Sequence, residues 1–284
     1  MQHDDIFDRG LQFDISALLE RRKVLGLLAG AGLATLAGCG SDSTGTASNT
    51  SSSRPPSASS SAGASASSAG ASASGATCAE IPEETAGPYP GDGSNGPNIL
   101  TESGVVRSDI RSSVGSASGT AEGVPLTVDL TLLDTSKDCS ALSGAAVYLW
   151  QCDRDGNYSM YSESIASENY LRGVQESDGE GKLTFKSVFP ACYTGRWPHI
   201  HFEVYPSLAR TTSPDHKIAV SQIALPRDIC EAVYATDGYS QSVHNLSQVS
   251  LDSDGIFGDG HTSQLGTVTG SVSSGLAVSL SVAV

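Results

Sequence analysis

Basic residues are scarce in this chain of 284 residues: Lys and Arg number 16 against 31 Asp and Glu, giving a formal net charge of −15 and a sequence pI near 4.6. Outside the N-terminal segment no cluster of Lys and Arg interleaves with aromatics, which argues against a phosphate-binding surface and against nucleic acid as a partner. A long apolar run is also missing. The stretch Leu25 to Ala37 is too short and too rich in glycine for a comfortable membrane-spanning helix. After residue 78 no amphipathic helical period stands out, so strands have to carry the fold. The segment Asp252-Ser-Asp254-Gly255-Ile-Phe257-Gly-Asp259-Gly260 lacks the spaced Asx positions and the terminal Glu of an EF-hand, and reads as a turn.

What the N-terminus does have is the pattern of an export signal. Glu20-Arg21-Arg22-Lys23 precedes the apolar run, and paired arginines there resemble a bacterial twin-arginine signal. The run ends in Leu36-Ala37-Gly38-Cys39, similar to a lipobox, in which Cys39 would be lipidated and anchor the protein to the membrane. Residues 1–38 are therefore expected to be a signal, and the product to be exported and lipid-anchored to the bacterial cell envelope. Residues 39–77, almost wholly Ser, Ala, Gly and Thr, bury too little apolar area to fold and are expected to form a flexible tether. With Cys39 set aside, five of the six cysteines remain, so at least one thiol has no partner within the domain. Cys152 and Cys192 are the first candidates for a disulfide.

Residues 78–284 have the size of one domain. Leu126-Thr-Val128-Asp-Leu130-Thr-Leu132 alternates apolar and polar side chains, as do Lys182 to Lys186 and Leu276 to Val284; Ala145 to Trp150 and Ile218 to Leu225 are more continuously apolar. Short strands separated by Gly, Pro and Asp turns give the expectation of an all-β fold, an antiparallel β-sandwich with a metal site carried on its loops and strand ends.

The chemistry concentrates in Tyr193-Thr-Gly-Arg196-Trp-Pro-His199-Ile-His201-Phe-Glu-Val204. If Ile200, Phe202 and Val204 face a core, the two-residue period of a strand puts His199 and His201 on the opposite face, their backbone positions about 6–7 Å apart. Both imidazoles can then reach one metal ion. His-x-His alone is also compatible with an exposed strand, or with zinc or copper.

Further motifs narrow this. Trp150-Gln-Cys-Asp-Arg-Asp-Gly156-Asn-Tyr158, Asn169-Tyr-Leu-Arg-Gly173, Phe189-Pro-Ala-Cys-Tyr193 and Arg196-Trp-Pro-His199-Ile-His201, with the leader Thr85-Ala-Gly-Pro-Tyr89, resemble the intradiol ring-cleavage dioxygenases, the group of catechol and protocatechuate 3,4-dioxygenases. The resemblance implies a mononuclear non-haem Fe(III) ion held by Tyr158, Tyr193, His199 and His201. Phenolates are hard anionic donors and favour Fe(III). It also implies an aromatic diol and O2 as substrates, opened to a cis,cis-muconate-type diacid. Tyr193 would leave the metal and take a proton from the substrate hydroxyl, Arg196 would stabilise charge on the ring, and Gln222 would hydrogen-bond Arg196, although it lies further from His201 in sequence than the family pattern suggests. No segment matches the dimerisation helices of the catechol-type enzymes. The contrasting expectation is a surface-anchored β-sandwich binding module without catalysis.

Overall fold

A computed structural model describes residues 78–284. The expected export signal, Cys39 and the tether lie outside the described residues. The alternating stretch becomes β1 (Pro125–Asp134), which is followed by β2 (Ser140–Ala141), β3 (Ala146–Trp150), β4 (Arg172–Glu176) and β5 (Lys182–Val188). Then come β6 (His199–Tyr205), β7 (Ala219–Ala224), two short helices α1 (Arg227–Tyr234) and α2 (Ser240–Leu246), and the closing hairpin β8 (Thr267–Ser271) and β9 (Gly275–Ala283).

The strands form two sheets. One runs β2-β1-β9-β8, with β5 also on β1; the other runs β4-β3-β6-β7. Leu126, Val128, Leu130 and Leu132 of β1, Phe185 of β5 and Val278 of β9 meet Val147 and Leu149 of β3 and Ile200, Phe202 and Val204 of β6 in one buried cluster. This is the core that the alternation predicts: on β1 only every second residue is buried.

The second sheet behaves differently. Every residue of β3, β6 and β7 is buried, because its outer face is roofed by a second cluster that includes Ile99, Leu100, Val105 and Tyr158 packed on Tyr148 and Trp150. The leader forms part of that roof. Glu84 N–H donates to the Val220 carbonyl and Ser221 Oγ to the Pro82 carbonyl, so the leader runs along β7. Arg172, fully buried, ties it down further. Its guanidinium donates to the carbonyls of Tyr89 and Pro90, to the Tyr148 hydroxyl, and to both the hydroxyl and the carbonyl of Ser159. All five N–H groups of that side chain are thereby matched to acceptors on the leader, the sheet and the residue after Tyr158.

Three expectations need correction. The sandwich is not wholly antiparallel: β9 pairs with β1 in parallel, Leu126 opposite Leu276 through Leu133 opposite Ala283. The long excursion through the second sheet returns the C-terminus along β1 in the same direction, which a hairpin never does. Helices exist after residue 78, of eight and seven residues; α1 buries Cys230, Val233 and Tyr234, an i, i+3, i+4 face confined to little more than one turn. The disulfide joins Cys78 to Cys139, while Cys152, Cys192 and Cys230 are free and buried. Cys152 packs in the outer cluster and Cys192 in the inner one, and neither thiol is bonded to the other.

The Cys78–Cys139 bond closes a loop with a sequence separation of 61. Chain-entropy loss in the unfolded state then makes it worth about 4 kcal/mol. Urea unfolding should show that loss in Cys139→Ser, and in the wild type on adding dithiothreitol, with Cys139→Ser itself insensitive to the reductant. A wild type indifferent to dithiothreitol would contradict the pairing.

Candidate active site

Four segments converge at one end of the second sheet. His199 and His201 stand on the outer face of β6, opposite the core-facing Ile200 and Phe202, and are 2 % and 3 % exposed. His201 pairs across the sheet with Trp150 on one side and Gln222 on the other. The Trp150 indole lies flat on the His201 ring, centroids 4.9 Å apart and planes 7° from parallel.

Tyr193 arrives from a turn. Arg196 N–H donates to the Tyr193 carbonyl at 3.3 Å, and Gly195 holds φ +81°, a conformation that favours glycine. The turn folds Tyr193 back over β6 and brings its hydroxyl to 3.2 Å from His199 Nε2. The helices missed in the sequence brace this segment. Tyr234 and Tyr239 hydroxyls donate to the carbonyls of Pro190 and Phe189, and Asn245 Nδ2 to that of Cys192.

Tyr158 follows the Asp153–Asn157 turn, which Asp153 organises by accepting the amides of Asp155 and Asn157 on Oδ1. Gly156 is needed there: a Cβ on it would sit 3.3 Å from Tyr193 Cβ. The Tyr158 and Tyr193 ring centroids are 6.0 Å apart, and Tyr158 lies 6.2 Å from His201. The leader closes the site. Gly87, at φ +69°, faces His201 Cε1, and Tyr89 packs on Tyr158 with centroids 5.0 Å apart.

Burial holds both imidazoles well below their ordinary pKa, helped by Arg196 next to His199 and by His199 and then Arg196 next to His201. Both rings are neutral at pH 7. The Nδ1 of His199 faces the Trp197 carbonyl at 2.5 Å, which assigns its proton to that nitrogen and leaves a lone pair on Nε2. That Nε2 points at His201 Nε2, 3.1 Å away. Burial, and next the neighbouring Tyr193, push the Tyr158 phenol well above its usual value. Its buried oxygen has no hydrogen-bond partner, an expensive arrangement for a polar atom unless a ligand completes it.

Such an end point suits a metal: two converging imidazole nitrogens, a phenol in contact and an orphaned buried phenol oxygen. Among the described residues no group of three or more His, Cys, Asp or Glu is placed to hold one. Any metal seated on this histidine pair would take tyrosine oxygens to complete its set, which distinguishes the site from the usual zinc donor sets.

A family model described as Dioxygenase matches residues 96–199. Among solved structures, an intradiol ring-cleavage dioxygenase from Tetranychus urticae is 25 % identical, with a TM-score of 0.56, covering 72 % of this chain and 94 % of that one. The family model and the solved structures that this chain resembles are those of intradiol ring-cleavage dioxygenases. A second solved dioxygenase gives a TM-score of 0.57 at 25 % identity over the same shares. Catechol 1,2-dioxygenase 2 of Acinetobacter lwoffii is 36 % identical over 58 residues, 20 % of this chain and 21 % of that protein, so the match spans about a fifth of the curated relative's length.

The matched family window ends at His199, so His201, Gln222 and Asp254 lie beyond it. Gln222 sits where the sequence spacing made it doubtful: the loop between β6 and β7 absorbs the extra residues and the register restores Gln222 opposite His201. Its Oε1 accepts from Arg196 Nη2 at 2.6 Å. Asp254 falls in the stretch that reads from sequence as a turn, and no motif marks it as part of the site. It is 2 % exposed and accepts Arg196 Nε at 3.0 Å. A buried acid with no cation near it in sequence was the available signal, but burial is invisible there.

Gly87→Val forces a β-branched residue into the left-handed region and presses it toward His201. It should lower the unfolding free energy by at least about 1–2 kcal/mol. The control Gly179→Ala, whose new Cβ meets nothing within 4 Å, should be near neutral by the same melts.

Proposed function

We propose that this dioxygenase cleaves catechol-type aromatic diols between the two hydroxyl-bearing carbons with O2, giving cis,cis-muconate-type diacids, at a mononuclear Fe(III) held by Tyr158, Tyr193, His199 and His201. The observation that carries this reading is the convergence of two neutral Nε2 atoms 3.1 Å apart with the Tyr193 hydroxyl at 3.2 Å and the unsatisfied buried oxygen of Tyr158. Hard phenolate oxygens beside two imidazoles match the preference of ferric iron over ferrous. The iron, when bound, would keep both phenols deprotonated and make a chelated diol reactive toward O2.

The protein residues divide the remaining work. Tyr158, buried at 2 % exposure beneath Tyr89, is the fixed phenol. Tyr193 is only half-buried and sits on a turn rather than a strand. It is the phenol that moves aside and receives a proton from a substrate hydroxyl at Oη. Arg196 supplies a fixed positive charge for the electron density that builds on the ring during cleavage. The roof of leader and second cluster keeps bulk water from the reacting carbon and strengthens that charge interaction.

Residues 1–77 complete the proposal: an export signal through residue 38, a lipid anchor on Cys39, and a Ser/Ala/Gly-rich tether that lets the enzyme work on diols outside the cytoplasm.

Purified protein reconstituted with iron should be burgundy from tyrosinate-to-iron charge transfer and consume O2 with catechol, protocatechuate or hydroxyquinol. Tyr158→Phe and Tyr193→Phe should each shift or erase the band, with kcat reduced by about two orders of magnitude or more. A colourless, iron-free preparation with no oxygen uptake would favour the binding-module alternative.

A further inference from the structure

Arg196 has a task in the proposed reaction, yet a flexible side chain does that task only if something holds it. The Arg196 and Asp254 side chains are 3 % and 0 % exposed. Asp254 is fully committed: Oδ2 accepts from Arg196 Nε at 3.0 Å and from the Trp197 amide at 2.6 Å, while Oδ1 accepts from the amides of Ile256 at 2.8 Å and Phe257 at 3.1 Å. From a different strand, Gln222 Oε1 takes Arg196 Nη2 at 2.6 Å, and Gln222 Nε2 donates to the Thr85 carbonyl of the leader at 3.0 Å. A guanidinium is planar, so fixing Nε and Nη2 fixes its plane.

The Asp254 carboxylate belongs to the short loop between the turns Leu251–Ser253 and Phe257–Asp259. That loop places Phe257 under the site as well, 6.4 Å from the His199 ring and 6.0 Å from the Arg196 guanidinium carbon. Isolated buried ion pairs contribute little net stability, since desolvation offsets the attraction. Four hydrogen bonds on one carboxylate, two of them to the Arg196–Trp197 step just before His199, point instead to geometry.

We propose that Asp254 is the positioning residue of the site: it aims Arg196, with Gln222 as the second anchor, and acts on the reaction only through Arg196. This rests on the reading that Arg196 stabilises charge on the substrate ring. In Asp254→Asn one amide orientation turns N–H groups toward Arg196 and Trp197, and the other turns them toward Ile256 and Phe257. Either way, donors face donors.

The test uses iron-loaded full-length protein. Asp254→Asn should keep the wild-type iron content and visible band and hold KM within about threefold, while kcat falls about 10²–10³-fold, the range for losing one well-placed charge-stabilising donor. Combining it with Arg196→Lys should give a kcat no lower than that of Arg196→Lys alone, because a residue acting only through Arg196 has nothing left to position. Where Asp254→Asn does not fold, Asp254→Glu, which keeps the charge and displaces it by one methylene, should lose kcat at least tenfold with the band intact. A wild-type kcat in the tested variant overturns the proposal, as do fully additive losses in the double variant or iron lost along with activity. Failure of the underlying reading shows elsewhere, as a wild type with neither band nor oxygen uptake.

Discussion

With all seven residues of β6 buried, the imidazoles at 199 and 201 have no bulk water to hydrogen-bond and no room for a solvated charge. Everything else at the site follows from that double burial. It keeps both rings neutral, aims their Nε2 atoms at one another, and requires partners for the phenols that lean over them. A half-exposed strand with the same His-x-His would hold two ordinary surface histidines. The leader and the loops around Tyr158 convert the pair into a site, and Arg172 connects those two pieces through one guanidinium.

The outer face of the second sheet is consequently polar in an ordered way. Beside the histidines, Glu203 and Asp92 are buried around the Lys217 ammonium, Glu203 Oε1 at 2.9 Å and Asp92 Oδ2 at 3.7 Å. The Tyr205 hydroxyl donates to Glu203 Oε2. Burial pushes the Glu203 carboxyl up to about 7, against the pull of Lys217. So the sheet carries, in sequence, a histidine pair at 199 and 201 and an ionic group at 203 that helps seat the loop bearing Asp92.

Much of this was legible beforehand because local patterns carry it. The alternation of β1 reports one wet face, and the spacing of Tyr193, Arg196, His199 and His201 survives intact because a glycine turn and a strand are both short-range structures. What sequence reading missed depends on distance along the chain. The parallel pairing of β1 with β9, the bond between Cys78 and Cys139, and the approach of Asp254 to Arg196 all join residues 58 or more positions apart. The Cys152 and Cys192 expectation failed for a related reason: nearness to the same site says nothing about whether two thiols pack in the same cluster. The two helices were missed because seven or eight residues make only two turns, and tertiary contacts to Phe189, Pro190 and Cys192 hold them more than any intrinsic period.

The central claim is that four side chains from two loops and one strand share a single metal ion. An iron-soaked crystal, measured for anomalous scattering at the iron edge, tests it without reference to turnover. The account predicts one strong peak bonded to Nε2 of His199 and of His201 and to the hydroxyl oxygens of Tyr158 and Tyr193. A peak bound to the histidines alone, a peak elsewhere, or none after saturation with iron would contradict it.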